Sequence, residues 1–213
     1  MFDFKGAIFD LDGTLLDSLD VWSVIDAEFL GARGIKVPED YENAVKPLGF
    51  REAAVYTITR FGLDENPDDI VREWHGMTKK AYENDISLKP RAKEYLSFLK
   101  SKGVKLALAT ASEEALFVPA LKNNGVLGLF DAFATSSEVG KGKGHPDVYL
   151  KAAEKLNLLP EECAVFEDIY QGIAGAKAGH FFTIAVYDRH SENDIEKITA
   201  AADLLIRDYG ELL

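Results

Sequence analysis

The sequence predicts an α/β fold, a parallel sheet covered by helices on both faces, with a helical segment inserted after the first strand. Short apolar runs bounded by polar or Gly-containing turns recur along the chain, as expected of strands buried on both faces. Helical patterns lie between them, with proline at a start or glycine past an end. Strand and helix that alternate in this way indicate a Rossmann-like sheet.

Six apolar runs predict the strands of this sheet. They are 5–10 (KGAIFD), 104–110 (VKLALAT), 132–136 (AFATS), 163–168 (CAVFED), 182–187 (FTIAVY) and 203–208 (DLLIRD). Four helical patterns separate the later strands: RAKEYLSFLKSKG, EEALFVPALKNNG, PDVYLKAAEKLN and YQGIAGAKAG. The predicted core therefore comprises residues 1–15 and 87–213.

Residues 16–86 break the alternation, because no convincing apolar β-run occurs there. Ser18 is a candidate N-cap for a helix that runs to about Leu30. The pattern REAAVYTITRFG predicts a second helix, and Asn66 followed by Pro67 starts a third. We expect 16–86 to be a separate α-helical bundle. Each of the three predicted helices carries apolar residues at helical spacing, which we expect to face the interior of the bundle. They are Val21, Trp22, Ile25 and Phe29 in the first, Ala54, Val55, Ile58 and Phe61 in the second, and Ile70, Val71, Trp74 and Met77 in the third.

The composition excludes several classes of function. Of 213 residues, 47% are hydrophobic, which is ample for a packed core. Lys and Arg number 24 against 36 Asp and Glu, a formal charge of −12 that disfavours nucleic acid and anionic membrane as partners. No export signal or membrane-spanning run is evident, so we expect a cytoplasmic protein. We expect it to be a monomer or a weak homo-oligomer. Cys163, the single cysteine, is expected to be buried and inert.

Polar residues at separate strand ends form the candidate site. Asp10 ends the first predicted strand, Thr110 the second and Asp168 the fourth, while Lys143 lies in the loop after the third. The carboxyl ends of parallel strands meet at one edge of a sheet, where such folds place their ligands. We therefore expect these four side chains to converge.

This set of residue types fits phosphoryl transfer. Mg²⁺ prefers oxygen ligands and commonly takes one or two carboxylates plus a substrate phosphate, a role open to Asp10 and Asp168. Metal and Lys143 would offset the repulsion between a phosphate and an anionic nucleophile, so Asp10 could attack phosphorus and form an aspartyl-phosphate. Asp12 could protonate the leaving alcohol and later deprotonate the attacking water. Thr110 and Lys143 would hold the non-bridging phosphate oxygens.

Four ordered segments carry a resemblance to a known family: DLDGT (10–14), LALATAS (106–112), KGHPDVYLKAAEKL (143–156) and VFEDIYQGIAGAKAG (165–179). The chain resembles the haloacid dehalogenase superfamily of phosphotransferases over essentially its whole length. The resemblance implies a Mg²⁺ site formed by Asp10, the main-chain carbonyl of Asp12, Asp168 and Glu167. It also implies phosphate binding at Gly13, Ala111 and Ser112, and a cap domain at 16–86 that closes over the site.

The third and fourth motifs leave two assignments open. Gly144 replaces the first proline of the usual K-P-x-P-D, and Lys141 in the same GKGKG stretch competes with Lys143 as the phosphate ligand. The spacing to the following Pro-Asp favours Lys143. Glu167 could reach the metal through water, or accept backbone N–H groups at the strand end.

The substrate class rests on the cap and on the residues after the second motif. Sugar-phosphate mutases of the β-phosphoglucomutase type carry a histidine where Trp22 stands, and basic or amide groups where Glu113 and Glu114 stand. Two acidic residues would repel a second phosphate. Arg51, in KPLGFREAA (46–54), resembles the cap loop that reaches the site, and could bind substrate or form a surface ion pair.

These observations predict a Mg²⁺-dependent phosphatase acting on a small phosphorylated metabolite, of the phosphosugar monoester type. One alternative is a phosphosugar mutase. A second is a phospho-acceptor or binding module without turnover, such as a receiver domain, although such a domain lacks an equivalent of Asp12 and the helical insertion.

Overall fold

A computed structural model describes residues 4–45, 48 and 50–213, apart from the side chain of Asn43. The predicted α/β fold is confirmed: the described chain forms a six-stranded parallel sheet in the order β3-β2-β1-β4-β5-β6. Each strand lies within one of the six predicted runs. The strands are β1 (Gly6–Phe9), β2 (Lys105–Thr110), β3 (Ala132–Thr135), β4 (Cys163–Glu167), β5 (Phe182–Val186) and β6 (Leu204–Ile206).

Ten α-helices accompany the strands among the described residues. They are α1 (Val21–Ala32), α2 (Tyr41–Val45), α3 (Phe50–Phe61), α4 (Pro67–Asn84), α5 (Ala92–Ser101), α6 (Glu114–Asn123), α7 (Ser136–Val139), α8 (Asp147–Leu156), α9 (Tyr170–Ala178) and α10 (Ile195–Ala201). The chain forms two compact units. One comprises the residues up to Leu19 together with Ile86–Leu213, and the other comprises Asp20–Asp85.

The central strand β1 is buried on both faces. Ile8 belongs to an apolar cluster with Tyr149 and other residues of α8. The neighbouring Phe9 points to the opposite face because side chains alternate along a strand, and its ring stacks on Phe166 at 4.3 Å between centroids. Phe9 lies beside Leu108 of β2 and Phe166 of β4 in the sheet register. The residues that follow β1 and β4 therefore emerge side by side at one edge.

Two crossover segments connect the sheet unit to the rest of the chain, and they run side by side. The backbone N–H of Asp17 donates to the carbonyl of Ser87 at 3.0 Å, and that of Lys89 donates to the carbonyl of Leu15 at 2.8 Å. These bonds fix the segment that immediately follows the DLDGT motif.

The second unit contains α1 to α4, and the structure describes no strand in it. Asn66 caps α4 as expected, since its side chain accepts the N–H of Asp68 at 2.9 Å. The short helix α2 was not predicted, because five residues are too few to show a helical period. Its Tyr41 is fully buried, and the hydroxyl lies 2.7 Å from that of Thr57.

Three details of the helical prediction are wrong. Ser18 does not cap α1, which begins at Val21 with Asp20 at the N-cap position; the Ser18 hydroxyl donates instead to the carboxylate of Asp12. Trp22 is 41% exposed, because the buried side of α1 is formed by residues such as Val21, Ile25 and Phe29 and the next position points away from it. Val55 is exposed and Met77 half-buried, whereas Trp74 is buried as expected.

Asp26 is a carboxylate buried in the helical unit, and it provides a stability prediction. Burial, with a smaller contribution from Glu42, raises its pKa from 3.8 to about 6. A raised carboxyl pKa means that the folded state holds the proton more tightly, so this group costs stability as pH rises from about 4 to about 6. We expect Asp26→Asn to stabilise the protein by on the order of 1 kcal/mol at pH 8. Urea unfolding at pH 4 and pH 8 measures this, and an advantage independent of pH would contradict the assignment.

Two further features concern the expected environment of the protein. Cys163 is buried, as predicted, and burial raises the pKa of its thiol to about 12, which makes it unreactive. Among the helices that the structure describes, none is both long and apolar enough to span a bilayer.

Candidate active site

Three buried carboxylates meet at the carboxyl edge of the sheet. Asp10 follows β1, Glu167 ends β4 and Asp168 follows it, and each side chain offers an oxygen within 4.8 Å of the others. Their exposed fractions are 4%, 0% and 2%. The sheet register explains the meeting, since β1 and β4 are hydrogen-bonded neighbours and the N–H of Asp10 donates to the carbonyl of Phe166 at 3.0 Å.

Two donors offset part of this negative charge. The ammonium of Lys143 contacts Oδ1 of Asp10 and lies 2.6 Å from Oε1 of Glu167. The Thr14 hydroxyl lies 3.1 Å from Oδ2 of Asp10 and 3.0 Å from Oδ1 of Asp168. Sequence reasoning gave no role to Thr14. Its position four residues after Asp10, in the turn that leaves the strand, was the available signal.

The pKa values of the cluster reflect its burial and excess of acid. Burial raises the pKa of Asp10 to about 7, with Lys143 lowering it and Glu167 raising it further. Burial, with the charges of Asp10 and Glu167, places the pKa of Asp168 well above its ordinary value. Burial alone would lower the pKa of Lys143, but Asp10 and Glu167 outweigh it and raise that pKa. A bound cation would relieve the same imbalance.

The surroundings of one carboxylate oxygen in this cluster show whether a metal ion would fit. Oδ2 of Asp168 is buried and has no hydrogen-bond partner among the described residues. A buried carboxylate oxygen without a donor is costly unless something else meets it. A Cβ at position 13 would lie 2.4 Å from that oxygen, so Gly13, with φ of +83°, keeps the space beside it open. The all-oxygen donor set and this partnerless atom fit a hard divalent cation.

Asp12 lies in a different environment from Asp10. Its Oδ1 accepts the hydroxyl of Ser18 at 2.7 Å, and its Oδ2 accepts the hydroxyl of Ser112 at 2.5 Å. Ser112 comes from the loop after β2, and its backbone N–H donates to Oγ1 of the buried Thr110 at 3.0 Å. The second motif therefore lies against Asp12, while the adjoining Ala111 is exposed.

The two candidate lysines lie in different environments. Lys143 has a side chain 9% exposed and contacts the carboxylate cluster, whereas Lys141 is 52% exposed and pairs with Asp147 at 2.9 Å. Close packing holds the Lys143 loop, because a Cβ at Gly175 of α9 would lie 2.0 Å from the Lys143 carbonyl oxygen. The small-residue pattern of GIAGAKAG was the signal for this approach.

Glu167 accepts a hydrogen bond from Tyr149, a residue to which the sequence pattern assigned no role in the site. The buried Tyr149 hydroxyl donates to Oε1 of Glu167 at 2.7 Å, and Oε2 accepts the N–H of Asp168 at 3.3 Å. Burial, followed by the charge of Glu167, raises the pKa of this tyrosine. Glu167 thus accepts a backbone N–H, one of its two expected roles, and also lies within the possible metal cluster.

Arg51 belongs to the helical unit, where its Nε lies 2.9 Å from Oδ1 of Asp68 and its side chain is 70% exposed. This is the surface ion pair considered as the alternative to substrate binding. Lys46, Pro47 and Gly49, which precede it in the predicted cap loop, lie outside the described residues.

The chain is similar to known proteins over nearly its whole length. The family model of the haloacid dehalogenase-like hydrolases matches residues 4–180. A phosphorylated carbohydrates phosphatase of Thermotoga maritima is 28% identical over 209 residues, covering 98% of this chain and 96% of that protein. A β-phosphoglucomutase of Bacillus subtilis is 28% identical over 221 residues, covering 98% and 91%. A crystal structure of a putative β-phosphoglucomutase from Thermotoga maritima superposes with a TM-score of 0.83 at 26% identity, covering 95% and 94%.

Proposed function

The chain belongs to the haloacid dehalogenase-like hydrolases, and we therefore propose that it is a Mg²⁺-dependent phosphatase that hydrolyses a small phosphorylated metabolite of the phosphosugar type. The buried cluster of Asp10, Asp168 and Lys143 is the observation that carries this proposal. The similarity to a phosphorylated carbohydrates phosphatase supports the substrate class.

Asp10 is the proposed nucleophile. Its carboxylate attacks phosphorus, the bond from phosphorus to the leaving oxygen breaks, and an aspartyl-phosphate forms that water then hydrolyses. Lys143 already contacts Oδ1 of Asp10, so its ammonium is placed to meet the non-bridging oxygens of a phosphoryl group joined there. Thr110, buried at the end of β2, and Gly13, with Ala111 and Ser112, are the proposed remaining phosphate ligands.

The proposed Mg²⁺ ligands are Asp10, Asp168 and the main-chain carbonyl of Asp12, with Glu167 beside them. When bound, the ion would neutralise charge on the cluster and on the phosphate. Asp168 Oδ2, buried and without a donor among the described residues, supports its part in this set. Thr14 holds the other oxygen of Asp168 and thereby fixes the direction in which Oδ2 points.

Asp12 is the proposed general acid and base. It gives a proton to the leaving alcohol as Asp10 is phosphorylated, and takes one from the attacking water as the phosphoenzyme is hydrolysed. Its two oxygens accept the hydroxyls of Ser18 and Ser112, whereas Lys143 contacts Asp10, and this difference supports separate roles for the two aspartates of the DLDGT motif.

A phosphosugar mutase is the second candidate, since a β-phosphoglucomutase matches this chain at the same 28% identity as the phosphatase relative. Glu113 and Glu114, exposed at the start of α6, favour hydrolysis because two carboxylates would repel the second phosphate of a bisphosphate intermediate. A cytoplasmic location, a monomeric or weakly associated state, and substrate binding by Arg51 stay predictions.

Phosphate release from a panel of sugar phosphates, nucleotides and short-chain phosphates tests this proposal. We expect turnover with Mg²⁺ and a loss of at least about 10²-fold after chelation, because removing the ion removes several kcal/mol of transition-state stabilisation. Restoring Mg²⁺ is the control and should return the activity. Isomerisation without phosphate release, on addition of a bisphosphate, would replace the phosphatase with the mutase. Neither reaction on any substrate would favour a binding or phospho-acceptor module.

A further inference from the structure

We infer that Ser18 is a positioning residue for Asp12: it holds one oxygen of the carboxylate and so aims the other at the oxygen of the leaving group. This inference rests on the proposed function, in which Asp12 transfers the proton. It concerns the local bond that fixes Asp12, and Ser18 itself would touch neither the substrate nor the phosphoryl group.

Each oxygen of Asp12 has its own hydroxyl donor, and the two donors come from different segments. Ser18, in the crossover segment after β1, donates to Oδ1 at 2.7 Å, and Ser112, in the loop after β2, donates to Oδ2 at 2.5 Å. A serine hydroxyl carries a single proton, so each bond commits that serine to Asp12. Together the two bonds fix the plane of the carboxylate.

The two serines differ in how firmly they are held. Ser18 is only 2% exposed, and the neighbouring Asp17 is tied by its backbone N–H to Ser87. Ser112 is half-buried, and its backbone N–H, not its hydroxyl, anchors it to Thr110. The Ser112 hydroxyl can therefore rotate away without movement of the loop. An incoming substrate oxygen would take its place at Oδ2, while Ser18 keeps hold of Oδ1.

Proton transfer then has a defined donor atom. As the Asp10–phosphorus bond forms and the bond to the leaving oxygen breaks, Oδ2 of Asp12 passes its proton to that oxygen and the alcohol departs neutral. Asp12 regains a proton from water when the water oxygen bonds to phosphorus and Asp10 is released as a carboxylate. General acid catalysis needs hydrogen-bond geometry at this atom, which free rotation of the carboxylate would degrade.

The test compares two substrates that differ in their need for the proton. Glycerol phosphate releases an alkoxide unless it is protonated, whereas p-nitrophenyl phosphate releases a stable phenolate. We expect Ser18→Ala to lower kcat/KM for glycerol phosphate by about 10- to 100-fold and for p-nitrophenyl phosphate by less than about threefold. The ratio kcat/KM covers steps through departure of the leaving group and omits hydrolysis of the phosphoenzyme, which both substrates share.

Ser18→Thr keeps the hydroxyl and should retain the activity on glycerol phosphate that Ser18→Ala loses. Ser23→Ala is a matched control, since Ser23 is an exposed serine of α1 whose hydroxyl donates to the Asp20 carbonyl. If Ser18→Ala does not fold, Ser18→Cys keeps the size with a weak donor and serves the same comparison. An equal loss on both substrates, or no loss on either, would overturn the positioning role.

Asp12→Asn separates this inference from the proposed function. If Asp12→Asn loses glycerol phosphate turnover selectively and Ser18→Ala does not, only the role of Ser18 is wrong. If Asp12→Asn shows no dependence on the leaving group, the acid role of Asp12 itself is wrong.

Discussion

Asp10→Asn is expected to abolish phosphatase activity, with a loss of at least about 10⁴-fold, because an amide cannot attack phosphorus and form the covalent intermediate. The substitution keeps the shape of the side chain. It also removes one acidic group from a site in which burial already raises the pKa of Asp10 to about 7, so the fold should be retained.

The covalent role proposed for Asp10 can be tested directly. Wild-type protein mixed with substrate and denatured at once should carry one phosphoryl group on the peptide that contains Asp10, and the Asn variant should carry none. Asp194→Asn is the control, since Asp194 is a surface residue paired with Lys197. Residual turnover of Asp10→Asn near the wild-type rate would mean that another group is the nucleophile.

Lys143→Met is expected to lower activity by about 10³-fold and to destabilise the metal-free protein by about 3 to 5 kcal/mol. The ammonium is the buried cation that contacts both Asp10 and Glu167. Without it, three buried carboxylates face one another, and breaking a buried ion pair from one side leaves uncompensated charge. Added Mg²⁺ should recover part of the stability if it occupies the proposed site, because a ligand that binds only the folded state stabilises that state.

Lys141→Met provides a matched comparison two residues away. Lys141 is exposed and forms an ion pair with Asp147 at the start of α8, so its loss should change stability by less than about 1 kcal/mol and leave turnover within about twofold. Activity assays and urea unfolding of the two variants measure both effects. Equal effects from the two substitutions would contradict the assignment of Lys143.

The sequence by itself determined the sheet and the residues at its edge. Apolar runs of strand length, separated by capped helical patterns, predicted the six described strands, because strands buried on both faces must be apolar throughout. The same patterns predicted α5, α6, α8 and α9, whereas the short helices α7 and α10 were not predicted. Parallel strands present their carboxyl ends on one side, which is why Asp10, Asp168 and Lys143 could be expected to meet.

Only the tertiary structure decided which polar groups face one another. The local sequence predicts that Ser18 caps a helix. In the structure its hydroxyl instead donates to the carboxylate of Asp12, six residues earlier in the chain. Tyr149 lies in a helical sequence pattern that gives no sign of a partner for its hydroxyl. Only the fold brings that hydroxyl to Glu167. Likewise, Trp22 belongs to an apolar pattern, but the rotation of α1 exposes it. Hydrogen bonds and exposure depend on the distances between side chains in the folded protein, and the periodicity of one helix or strand does not contain those distances.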